Sequence, residues 1–97
     1  MVTKRETEKI PPARPLVVER VQTGVRMEKR LIKVLKALAE LKDLSLGDLL
    51  EGIVLHAFDG KAPFRPETLR QIAELKRIYG LDLDSTASHR MIERASS

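Results

Sequence analysis

Two histidines and a few carboxylates are the side chains whose types could ligate a metal or move a proton. His89 follows Asp84 by five residues and Asp82 by seven. Helical ligands converge only when three or four residues apart, so neither aspartate stands in register with His89. His56 lies near the end of an apolar run and reads as a packed or interface histidine. Cysteine is absent, which removes thiolate ligands, a disulfide framework and a Cys nucleophile together. The chain also lacks a G-x-S-x-G elbow, a Gly-rich phosphate loop and an H-E-x-x-H helix. The sequence therefore predicts no catalytic residue, no metal, no cofactor and no enzyme.

With 97 residues the chain is sized for one small domain, and its 42% hydrophobic but only 3% aromatic content predicts an aliphatic core. A core of that size is marginal alone, which makes a second copy the natural staple. Residues 1–15 mix charges with Pro11-Pro12-Ala13-Arg14-Pro15 and read as a flexible arm. From Leu16 to Met27 the chain is rich in β-branched residues. After Val21 it alternates Val21, Thr23, Val25 and Met27 with Gln22, Gly24 and Arg26, the pattern of a strand with one buried face.

The period then changes to about 3.6. Leu31, Val34, Leu35, Leu38 and Leu41 form one stripe, which predicts an amphipathic helix over Glu28 to Lys42. Ser45 is positioned as an N-cap with Asp48 three residues on, opening a second helix from Leu46 to Phe58 that Asp59-Gly60 closes. The second helix is apolar on more than one face. Pro66 and Glu67 open a third helix that Gly80 stops, and a short fourth is expected from Asp84 or Ser85 through Met91 and Ile92 to about Arg94.

One strand cannot satisfy its own backbone, and no second strand is legible elsewhere. The expectation is a mainly α fold with one β-strand, closed as a two-fold dimer through an antiparallel two-stranded ribbon. Residues 16–60 would form the dimerisation domain and 61–97 a C-terminal helical extension. Val21, Val25, Met27, Leu31, Leu35, Leu38, Leu50, Ile53, Val54 and Phe58 would share the dimer core.

In this order of strand, helix, Ser-capped turn and helix, residues 21–58 resemble the ribbon-helix-helix DNA-binding proteins. The stretch from Val25 to Phe58 fits the family's spacing without a gap. The resemblance implies sequence-specific binding of double-stranded DNA by a homodimeric transcription regulator, with the ribbon in the major groove. It assigns base contacts to Gln22, Gly24 and Arg26, where Arg26 would take guanine and Gln22 adenine. Gly24 departs from the pattern, because it offers no side chain. The resemblance further assigns a phosphate clamp to the backbone of Ser45, Leu46 and Gly47, and added phosphate contacts to Lys29, Arg30 and Lys33.

Charge is distributed in keeping with this. The net +4 arises unevenly: residues 21–44 carry +3 and residues 45–60 carry −3. No run approaches a membrane span and nothing reads as a signal peptide, so the expected location is cytoplasmic, on the nucleoid when DNA is bound. A second reading makes the dimer a protein-interaction module, such as an antitoxin whose 61–97 segment wraps a partner protein. In a third, that segment covers a flank of the core.

Overall fold

The computed structural model describes residues 15–94, so the arm expected over 1–15 lies, but for Pro15, outside the described residues. Three helices and one tight turn follow in order: α1 (Lys29–Leu41), α2 (Leu46–Phe58), α3 (Pro66–Tyr79) and a 3-10 turn (Ser85–Ala87). α1 and α2 begin where a side chain supplies an acceptor for a free amide of the first turn. Glu28 caps α1 by accepting the Leu31 N–H at 2.9 Å, and Ser45 caps α2 by accepting the Asp48 N–H at 3.0 Å. That bond to Leu31, helped by Arg30, holds the Glu28 carboxyl below the usual carboxylate range. Pro66 occupies the first turn of α3, where its missing N–H costs nothing.

All three helices end in the same way. The residue after each last turn is left-handed: Asp43 at φ 58°, Gly60 at 70° and Gly80 at 67°. The next amide then reaches back, from Leu44 to the Ala39 carbonyl, Lys61 to His56 and Leu81 to Lys76, at 2.8–2.9 Å. Two of these stops use glycine. The first uses Asp43, one of the few other residue types that tolerate this conformation.

The core is built around α1. Leu38, Ala39 and Leu49 are buried together, and Leu35, Ile53, Phe64, Ile72 and Leu75 pack on them. α1 therefore lies against both α2 and α3, more extensively against α3. Just beyond α3, Leu81 is buried as well.

Two expectations are corrected. No strand occurs among the described residues, so the mixed fold with a β-ribbon over 21–27 is replaced by a helical one. The alternation in 21–27 is compatible with a strand, but a strand exists only as part of a ladder. Here residues 15–27 make no backbone hydrogen bond with another described residue. The expected fourth helix also fails to form. Asp84 accepts the Thr86 N–H at 3.0 Å and the Thr86 hydroxyl, which satisfies the backbone locally and limits the helix to one 3-10 turn. His89 then turns left-handed at φ 66° and redirects the chain.

Candidate nucleic-acid interface

The residues expected to face bases lie on the irregular segment that leads into α1. Gln22, Gly24 and Arg26 are all exposed. A side chain at Gly24 would meet open space, so crowding within the chain does not require glycine there. Arg26 is engaged: its Nε donates to Glu93 Oε1 at 3.2 Å and its Nη2 donates to Glu93 Oε2. Further back, Arg20 donates through Nε and Nη2 to both carboxylate oxygens of Glu51 on α2, at 2.8 and 2.7 Å. This fork holds the Glu51 carboxyl below its ordinary range and anchors the segment's start to α2.

The cations expected to meet phosphate separate into two kinds. Lys29 and Lys33, four residues apart, are exposed on one face of α1, and Lys36 continues that face one turn on. Arg30 is half-buried and works inside the chain. It donates to Glu28 Oε2 at 3.0 Å, to the Gly80 carbonyl at 2.9 Å and to Asp82 Oδ1 at 3.0 Å. One guanidinium thus joins the cap of α1 to the end of α3, a role that leaves it little reach for a phosphate.

At the start of α2, Ser45 and Gly47 are exposed and Leu46 is half-buried. Gly47 leaves the surrounding space open, but the Ser45 hydroxyl already occupies one free amide and the exposed Asp48 carboxylate stands in the same turn. This helix end follows the C-terminus of α1, whereas Arg26 and Lys29 stand at its N-terminus. The thirteen residues of α1 span about 20 Å, so a single chain does not bring the two groups to one phosphate.

Of the residues expected in a dimer core, only Leu38 is buried within one chain. Leu31, Leu35, Leu50 and Ile53 are half-buried, while Val21, Val25, Met27, Val54 and Phe58 are exposed. Leu31, Leu35, Leu38 and Ile53 line an open, apolar groove of about 370 Å³, walled on its other side by α3 and the segment after it. Phe58 at 82% and Val21 at 82% exposure are large apolar groups facing water.

Sequence reasoning missed the ion pairs of Arg20 and Arg26. Their partners lie 31 and 67 residues away, and no local spacing announces them. His56 is exposed with Nδ1 2.7 Å from the Gly52 carbonyl on its own helix. Among the described residues no group of three His, Asp or Glu is placed to hold a metal, and no helix is long and apolar enough to cross a membrane. Set against known proteins, the chain matches no family model, no curated protein and no solved structure.

Proposed function

We propose that the protein binds double-stranded DNA as a homodimer and acts as a transcription regulator. The leading segment and the first turns of α1 would face the DNA, and the apolar groove and α2 would face the second copy. The observation that carries this reading is the exposed series Gln22, Arg26, Lys29 and Lys33, which offers amide, guanidinium and ammonium groups to solvent within twelve consecutive residues. A guanidinium followed by spaced lysines suits base-edge contact beside phosphate contact.

The need for a second copy is supported by the apolar surface that one chain leaves wet. Val21, Val25, Val54 and Phe58 are exposed, and the apolar groove lined by Leu31, Leu35, Leu38 and Ile53 is open. A two-fold partner would also supply a second set of cations, bringing the Ser45–Gly47 helix end of one copy within reach of a duplex held by the other.

Titration of a random-sequence duplex with the purified chain tests this. With about four phosphates neutralised per dimer, affinity is expected to fall about a hundredfold between roughly 50 and 200 mM salt. Absence of binding at the lower salt would overturn the proposal.

A further inference from the structure

We propose that Glu93 is an intramolecular competitor for Arg26, so that the C-terminal segment holds the candidate base-reading side chain in an autoinhibited, carboxylate-bound state. The inference rests on the DNA-binding reading above and adds a regulation to the same site.

The contact is fork to fork. Arg26 presents Nε and Nη2 to the two Glu93 oxygens. A planar guanidinium can use that edge for a carboxylate or for the paired acceptors of a guanine or phosphate, but not for both at once. Occupation by Glu93 therefore subtracts directly from the population of Arg26 free to meet DNA.

The chain leading to Glu93 is held by other contacts as far as Arg90. Leu81 is buried at the end of α3, and Arg30 grips both the Gly80 carbonyl and Asp82. Asp84 then caps the 3-10 turn, the Ser88 and Arg90 amides donate to Ser85 and Ala87 at 3.1 and 3.0 Å, and the Arg90 guanidinium bonds the Thr86 carbonyl at 2.9 Å. Left-handed His89 lies within the last of these turns, between the Ala87 carbonyl and the Arg90 amide. A series of short local contacts thus orders the chain as far as Arg90, and the Arg26–Glu93 pair joins the residues beyond it to the segment that leads into α1.

The clamp is built to yield. Both side chains are largely exposed, 81% for Arg26 and 63% for Glu93, and an ion pair in that setting is weak and screened by salt. A polyanion offering several acceptors can displace one carboxylate, so the segment tunes affinity without abolishing it.

The test compares the full wild-type chain with Glu93→Gln and with Glu40→Gln. The latter removes one exposed carboxylate from α1 and controls for net charge. Random-sequence duplex is titrated at low salt, and the Arg26 Nε–H resonance is followed in the free proteins. Glu93→Gln is expected to bind about two- to fivefold tighter than Glu40→Gln, the scale of an exposed pair, and to shift the Arg26 resonance where the control does not. Equal affinities for the two variants, or an Arg26 resonance unmoved by Glu93→Gln, would overturn the competition while leaving DNA binding intact. Failure of all three proteins to bind DNA would overturn the DNA-binding reading itself, and autoinhibition with it.

Discussion

A chain ending at Gly60 is expected to lose its cooperative thermal transition. Such a chain keeps α1 and α2 but removes Phe64, Ile72 and Leu75, which pack on Leu38, Ala39 and Leu49, and buried Leu81. Full burial of an aliphatic or aromatic side chain contributes about 1.5–3 kcal/mol, and partial burial, as for Phe64, Ile72 and Leu75, correspondingly less; the total stability of a domain this size is on the order of 5–15 kcal/mol. Loss of one buried and three partly buried groups removes a large share of a stability that small. Arg30 would also lose Gly80 and Asp82. Leu38→Ala in the full chain is the milder companion: Leu38 is only 2% exposed, and its truncation is expected to cost about 2–5 kcal/mol. Circular dichroism melts read both. A truncated chain that melts like the full one would mean that α3 is an accessory.

This packing bears on what residues 61–97 can do. Much of the apolar side of α3 is already spent on α1, so an interaction module carried there has less surface to offer than the sequence pattern implied. Leu69 and Ile78 remain exposed on the flanks of the helix. Covering the core is the role that the observed contacts favour.

Arg26→Ala is expected to weaken binding to a selected DNA site about ten- to a hundredfold and to relax discrimination at one base position, the effect of losing a bidentate base contact. Lys29→Ala should instead weaken all sequences alike and lower the slope of log affinity against log salt by about one. The two substitutions remove similar charge, so only the geometry of the contact separates them. Titrations of selected and random duplexes with both variants make the comparison, and indistinguishable or negligible effects would contradict the assignment of Arg26.

The helices were legible because their signals are local. Leu31, Val34, Leu35 and Leu38 repeat at the helical period, Ser45 and Pro66 mark starts, and Gly60 and Gly80 permit the left-handed stops. Asp43 performs the same stop without glycine. The strand expected over 21–27 is absent from the described residues: β-branched alternation describes a preference, and pairing is a property of two segments. The fourth helix failed where Asp84, Ser85 and Thr86 satisfied the backbone sooner than a helix would.

The candidate site divides along the same line. Exposure of Lys29 and Lys33 followed from helical spacing, whereas Gln22 and Arg26 are exposed together with every other residue of 21–27, with no alternation of buried and open faces. Arg30 did not, because its partners at 80 and 82 are brought to it only by the packing of α3 on α1. A run of four cations in sequence thus contains one structural arginine and three solvent-facing lysines.

A chain that is half of a DNA-binding unit has a mass signature that sedimentation equilibrium reads with and without a short duplex. The expected masses are two chains in the free protein and two chains per duplex in the complex. A free protein that stays at one chain's mass and leaves the duplex sedimenting alone would contradict both.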